Sequence, residues 1–144
     1  MRGSLLLSIV FVALLALACA GQSANPLSPA AREPSASFYV ENHGNDGRNL
    51  QQLIADTMRL KGLQVTAGAI GGQPNNVTYI VSYADRWGWD MRTFLARITI
   101  EVRDARSGSV VANSTKYQDS LAAMGKSYEE IVAATATALF TDAP

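Results

Sequence analysis

Alternating apolar and polar positions predict a long strand in the second half of the chain. From residue 94 to residue 103 one parity is apolar and the other is mostly polar; the apolar parity is Phe94, Ala96, Ile98, Ile100 and Val102. Because successive side chains of a strand point to opposite faces, this pattern indicates one buried face and one wet face. Residues 77–83 alternate in a similar way, so the two stretches predict a hairpin whose connection spans residues 85–90.

Shorter patterns predict the elements on either side of this hairpin. Residues 38–42 and 63–67 are predicted strands, and between them apolar residues recur at helical spacing from residue 50 to residue 58. Asn45 or Asp46 is the expected N-cap of this helix, and Gly62 is its expected stop. Residues 109–114 predict one more strand. Ser127 and Glu130 have the spacing of a capping box and open a last helix.

The resulting order, β-α-β-β-β-β-α, predicts an α+β fold with a mostly antiparallel sheet and both helices on one face. Only the first strand–helix–strand unit is expected to form a parallel pair. The 144 residues suffice for one domain, which we place at residues 38–142.

The first residues have the pattern of a secretion signal. Residues 1–18 contain a basic Arg2 followed by an apolar run that is short for a membrane span. The run ends in Ala-Leu-Ala-Cys, which resembles the lipobox of bacterial lipoproteins, with Cys19 as the lipid-modified residue. The lone cysteine favours this interpretation because no second cysteine offers a disulfide. The alternative is cleavage at an A-x-A site and secretion to the periplasm.

Residues 19–37 contain Pro26, Pro29 and Pro34 among serines and alanines, and they show no hydrophobic period. This composition predicts a lipid-anchored tether without a fixed structure. Twelve basic and twelve acidic residues occur without a basic run, which excludes the electrostatic pattern of a nucleic-acid-binding protein.

The hairpin connection carries the candidate partner-binding residues Arg86, Trp87, Trp89, Asp90 and Met91. Tryptophan and arginine are enriched at binding hot spots, whereas connections between strands are normally small and polar. The competing interpretation is structural, with one or both indoles folded under the hairpin to cap the sheet. Insertion into a membrane interface is a third interpretation, which the flanking aspartates disfavour.

Candidate catalytic and metal-binding residues are few. His43 is the only histidine and Cys19 the only cysteine, and the latter lies in the leader. Asp85, Asp90 and Asp104 have no histidine or cysteine beside them. We therefore expect no catalytic residues, no metal site and no cofactor, and we expect that the protein is not an enzyme.

The leader, the tether and the order of elements together resemble small envelope lipoproteins of Gram-negative bacteria. One such family has a similar Y-x-D-x-W-x-W-D hairpin, which corresponds here to residues 83–90. The architecture also resembles the lipopolysaccharide-assembly lipoprotein. These resemblances imply an outer-membrane lipoprotein that faces the periplasm and binds another envelope component, expected to be a protein, as an accessory or assembly factor. The alternative is a periplasmic carrier or sensor of a small apolar ligand.

Overall fold

The computed structural model describes residues 20–44 and 46–142, and these residues form one six-stranded sheet with two helices. The strands are β1 (Ala20–Asn25), β2 (Ser37–Asn42), β3 (Gln64–Ala69), β4 (Tyr79–Trp89), β5 (Thr93–Asp104) and β6 (Val110–Gln118). The helices are α1 (Leu50–Leu60) and α2 (Tyr128–Thr137), and short 3-10 turns lie at Pro29–Arg32 and Ala138–Phe140.

The sheet order is β1-β6-β5-β4-β2-β3. The pairs β1–β6, β6–β5 and β5–β4 are antiparallel, whereas β2 is parallel to both β3 and β4. Helix α1 contacts β2 and β3, α2 contacts β5 and β6, and the helices contact each other, so both lie on one face. The predicted α+β class and the order β-α-β-β-β-β-α are confirmed, with β1 as an additional strand before them.

The helix ends follow local sequence signals. Ser127 accepts a hydrogen bond from the Glu130 amide, and the Glu130 carboxylate accepts one from the Ser127 amide, so the capping box is formed. Gly62 follows α1 with φ of +85°, as its predicted role as a stop requires. The N-cap position of α1 is Asn49 rather than Asn45 or Asp46. Asp46 nevertheless caps the helix, because its carboxylate accepts hydrogen bonds from the amides of Leu50 and Gln51.

A β-bulge changes the buried parity of β5. Ile98, Ile100 and Val102 are fully buried as predicted, but Leu95 is buried in place of Phe94 and Ala96. Arg86 pairs with Arg97 and Trp87 pairs with Leu95, so Ala96 is an extra residue in β5 that has no partner in β4. One extra residue moves every side chain before it to the opposite face. A uniform alternation pattern therefore assigned this end of β5 to the wrong face.

The predicted tether is also wrong over residues 20–37, and the domain begins well before residue 38. Ala20–Asn25 form β1, which pairs with β6 along its whole length. Leu27 and Ala31 belong to the hydrophobic core, and the Leu27 amide donates a hydrogen bond to the Leu139 carbonyl. The composition missed this segment because β1 is exposed on both faces and is held by backbone hydrogen bonds, which need no hydrophobic period.

The predicted signal sequence and Cys19 lie outside the described residues. Among the helices of the described part, none is both long enough and apolar enough to span a membrane.

Candidate partner-binding surface at the hairpin tip

The hairpin tip lies further along the chain than the sequence pattern indicated. Strand β4 continues to Trp89, which pairs with Thr93, so the turn consists of Asp90, Met91 and Arg92. The Asp90 amide donates a hydrogen bond to the Arg92 carbonyl across the turn. Met91 adopts φ of +57°, a left-handed conformation that is uncommon for a residue with a long side chain. The turn therefore holds an apolar side chain at a position where glycine or asparagine is normally favoured.

Trp87 is part of the domain's packing. Its half-buried indole packs against the hydrophobic core and meets the Tyr128 ring edge-on, with 5.6 Å between ring centroids. The Arg48 guanidinium lies 3.5 Å from the centroid of the indole, within the range of a cation–π interaction. The indole Nε1 donates a 2.5 Å hydrogen bond to Oδ2 of Asp85. For Trp87 the structure thus agrees with the sheet-capping interpretation.

Trp89 and Met91 are instead exposed, at 77% and 91% of their surface. Met91 lines a groove of about 480 Å³ together with Leu121 and Met124, which are 44% and 65% exposed. We call Trp89, Met91, Leu121 and Met124 the tip surface. Met91, Leu121 and Met124 share this groove, and Trp89 lies two residues before Met91 at the end of β4. Exposed apolar side chains grouped in this way mark interaction sites. Methionine adapts its shape to a binding partner, and tryptophan contributes a large rigid contact.

Leu121 and Met124 were missed in the sequence because they lie in a connection without a periodic pattern. They follow β6 and precede α2, and the turn around Asp119 and Ala123 brings them beside the hairpin. Only the spatial neighbourhood of two segments about thirty residues apart shows that they belong with Met91. The signal available in the sequence was the presence of two large apolar residues in a connection between elements.

Near the tip, the Phe94 ring covers Gly88 on the sheet face opposite Leu95. Gly88 pairs with Phe94, and a Cβ atom at Gly88 would lie 2.5 Å from Cζ of the Phe94 ring. The ring therefore covers the glycine, which is how an aromatic side chain compensates for the missing side chain of a strand glycine. Phe94 is partly shielded in this position although the bulge has turned it away from the core.

The charges around the tip are mixed. Arg86 and Asp90 are exposed, and Asp90 and Arg92 line the groove. Arg92 also lines a second cleft, of about 320 Å³, with Arg48, Lys126, Trp87 and Tyr128. Among the described residues, Arg86, Arg92 and Lys126 have no carboxylate within ion-pair distance. The five predicted site residues are thus divided: Trp87 packs against the domain, while Arg86, Trp89, Asp90 and Met91 are exposed.

A hydrogen-bond network connects the segment before α1 to the sheet. Burial by itself would raise the pKa of Asp46, but hydrogen bonds from the Gln51 and Leu50 amides and the Tyr83 hydroxyl outweigh it and lower that pKa. Burial and the nearby Asp46 carboxylate raise the pKa of Tyr83. Because the Asp46 carboxylate already accepts hydrogen bonds from the Leu50 and Gln51 amides, this segment serves as a helix cap.

Neither His43 nor any set of acids forms a reactive centre in the described part of the chain. Nε2 of His43 lies 3.8 Å from the Glu41 carboxylate on the surface, and residues 20–44 and 46–142 contain no group of three potential metal ligands. Asp85 is engaged by the Trp87 indole, and Asp104 accepts the amides of Arg106 and Ser107 in a turn. These acids are explained by local structure.

Comparison of the sequence with protein-family models and with curated proteins finds no match. Among solved structures, the fold is similar to two structures of the PelC dodecamer from Paraburkholderia phytofirmans, each with a TM-score of 0.59. Their sequence identities are 16% and 13%, and each match covers 85% of this chain and 95% of the PelC chain. This likeness establishes the fold and nothing more specific. A minor lipoprotein from Acinetobacter baumannii matches 79% of this chain and 84% of its own at 15% identity, but its TM-score is 0.32.

Proposed function

We propose that this chain is a non-enzymatic lipoprotein, anchored through Cys19 in the outer membrane and facing the periplasm. Its domain binds another envelope component through the tip surface, as an accessory or assembly factor. The observation that carries the proposal is the groove that the exposed Met91 shares with Leu121 and Met124, together with the exposed Trp89 at the end of β4. An apolar patch of this kind lowers solubility, and its presence on a small domain therefore supports a binding role.

The two tryptophans have different roles in this proposal. Trp89 offers a free indole, and binding hot spots are typically large aromatic side chains that become fully buried in the complex. Trp87 connects the hairpin to the rest of the domain, because its ring contacts Arg48 and Tyr128. The exposed charges of Arg86 and Asp90 contribute more to orientation and association rate than to affinity.

A carrier or sensor of a small apolar ligand is less well supported. The space between sheet and helices is occupied by side chains of one core cluster, including the fully buried Ile54, Met58 and Ile100. The cleft beside Trp87 measures about 320 Å³, and its lining includes Arg48, Arg92 and Lys126. Three cations do not favour a purely apolar ligand, because they would lose hydration without gaining a partner.

The lipoprotein part is tested by the mass of the mature N-terminus. We expect residue 19 to be the first residue and to carry the added mass of its acyl groups. Cys19→Ser should release the protein from the membrane fraction. An unmodified mature chain would show that the secreted alternative is correct.

The binding part is tested by photo-crosslinking in cells with the full-length chain. A crosslinking residue replaces Met91, and a control chain carries it at Ser107 in the exposed β5–β6 turn at the far end of the sheet. We expect adducts to an envelope component from position 91 and none from position 107. Equal adducts from both positions, or none from either, would contradict a binding role for the tip.

A further inference from the structure

The N-terminal end of the described chain lies at the same end of the sheet as the hairpin tip. Ala20 pairs with Gln118 in the antiparallel β1–β6 ladder, and the Gln118 side chain donates a hydrogen bond to the Leu95 carbonyl. Leu95 is two residues into β5, immediately after the tip. The residue that follows Cys19 in sequence is therefore close to the loop that carries Leu121 and Met124.

The distances follow from chain geometry. Paired strands lie about 4.8 Å apart, and three residues span at most about 11 Å, so Ala20 and Leu121 are separated by no more than about 16 Å. Because β1 begins at Ala20, no flexible tether of the predicted kind separates residue 19 from the fold. Acyl chains on Cys19 would thus enter the lipid beside the tip surface and hold the domain directly against the bilayer.

From this juxtaposition we infer that the envelope component contacted by the tip surface is the bilayer itself. The inference rests on the proposed lipid anchor at Cys19 and specifies the partner of the proposed binding surface. Trp89, Met91, Leu121 and Met124 lie in the interfacial region of the leaflet that holds the acyl chains. Tryptophan is enriched at that depth because its ring is apolar and its N–H can remain in contact with water.

The charges near the tip are compatible with this contact. Asp85 lines a separate cleft with Asp46 and Gly47, and its carboxylate accepts a hydrogen bond from the Trp87 indole. Asp90 is therefore the one aspartate of the hairpin that lines the groove, and Arg92 lines it as well. Lys126 shares the adjoining cleft with Arg92. Basic side chains beside an inserted apolar patch are attracted to anionic headgroups, within a distance limited by ionic screening.

The tip surface would orient the domain, because retention already comes from the anchor. Several acyl chains on one residue anchor a protein stably, whereas four partly exposed side chains add a weaker contact. Two contacts side by side, the acylated residue and the tip, fix which end of the sheet faces the lipid. The β5–β6 turn around Ser107, at the opposite end of the sheet, would then point into the periplasm.

The test uses the full lipidated chain in vesicles of phosphatidylglycerol and phosphatidylethanolamine. Cys19 is the only cysteine, and acylation blocks its thiol, so Met91→Cys and Met124→Cys each provide one site for an environment-sensitive fluorophore. Ser107→Cys is the matched control, since it is exposed at the far end of the sheet. With brominated lipids in the vesicles, we expect blue-shifted emission and loss of most fluorescence at positions 91 and 124, and neither effect at 107.

Two results would overturn the inference. The first is unquenched fluorescence at positions 91 and 124 in a chain with verified acylation, which would place the tip in water. Crosslinking of position 91 to a single protein in cells would then identify a protein partner. Equal quenching at all three positions would mean that the domain has no preferred orientation. Absence of acylation is read separately from the mass of the N-terminus, so failure of the anchor and failure of the tip contact are distinguished.

Discussion

The Tyr83 hydroxyl donates a 2.8 Å hydrogen bond to Oδ2 of Asp46, and this bond joins the central sheet to the segment that opens α1. The same carboxylate accepts hydrogen bonds of 2.8 and 2.6 Å from the amides of Leu50 and Gln51. One ionised side chain thus satisfies two free amides of the helix and one phenol of the sheet. Such charge-assisted bonds hold the helix N-terminus against β4, the strand that ends in the hairpin tip.

Asp46 is expected to make stability depend on acidic pH. Its pKa in the folded state is lowered from the ordinary value of 3.8, so its contribution is complete above that value and is lost as pH falls through the folded pKa. Asp46→Asn should reduce the free energy of unfolding by about 1–2 kcal/mol at neutral pH, since the site is partly exposed and only part of a charged hydrogen bond is at stake. Urea unfolding from neutral to acidic pH measures the difference, which should shrink below about pH 4. A difference that is constant with pH would contradict this role.

Tyr83→Phe removes the hydroxyl that bonds to Asp46 and leaves the hydrogen bonds between Asp46 and the helix amides in place. The substitution should lower the free energy of unfolding by about 1 kcal/mol at neutral pH, as expected for one hydrogen bond. In the Asp46→Asn background it should lower it by much less. Because the pKa of Tyr83 is raised, its contribution is complete below the ordinary value of 10.0 and decreases as pH rises through the folded value. Additive costs of the two substitutions would show that the bond does not couple the two residues.

The two tryptophans are expected to respond differently to truncation. Trp87→Ala removes a half-buried ring and its contacts with Arg48 and Tyr128, so the free energy of unfolding should fall by about 2 kcal/mol, less than for a fully buried ring. Trp89→Ala should change it by less than about 0.5 kcal/mol because the indole is exposed. Urea denaturation of both variants measures these changes. Equal losses would mean that Trp89 also belongs to the core.

The elements that sequence predicted well are those with a strong local cause. The Ser127–Glu130 capping box and the Gly62 stop need only a few neighbouring residues, and both are present. The alternation at Ile98, Ile100 and Val102 is correct because these residues pair regularly across three strands. The order of elements from residue 38 onward, and with it the α+β class, followed from these local patterns.

The features that sequence missed depend on partners distant along the chain. The side on which Phe94 and Leu95 lie was decided by a bulge opposite Trp87, which no local pattern indicates. Leu27 is flanked in the sequence by residues without a hydrophobic period, and its hydrogen-bond partner, Leu139, lies near the other end of the chain. The roles of Trp87 and Trp89 could not be separated by composition, since only their neighbours across the fold distinguish them.

Met91 is expected to lower the stability of the domain. A non-glycine residue in the left-handed region costs about 1–2 kcal/mol, and asparagine tolerates this region better than methionine does. Met91→Asn should therefore raise the free energy of unfolding by up to about 1 kcal/mol, while removing an apolar group from the tip surface. Met124→Asn is the matched control: Met124 does not have a positive φ, and no gain is expected there. A loss of stability in Met91→Asn would show that the Met91 side chain supports the fold rather than contact with a partner.

Leu27 provides the direct test of whether residues 20–37 belong to the domain. It is 1% exposed, lies in the core cluster, and donates its amide to the Leu139 carbonyl at 2.8 Å. Leu27→Ala should therefore reduce the free energy of unfolding by about 2–4 kcal/mol, as for other buried leucines. Leu60→Ala is the matched control, because Leu60 is 87% exposed and its truncation should cost less than about 0.5 kcal/mol. If the two variants were equally stable, residues 20–37 would be a tether after all, and the anchor at Cys19 would no longer hold the tip surface against the membrane.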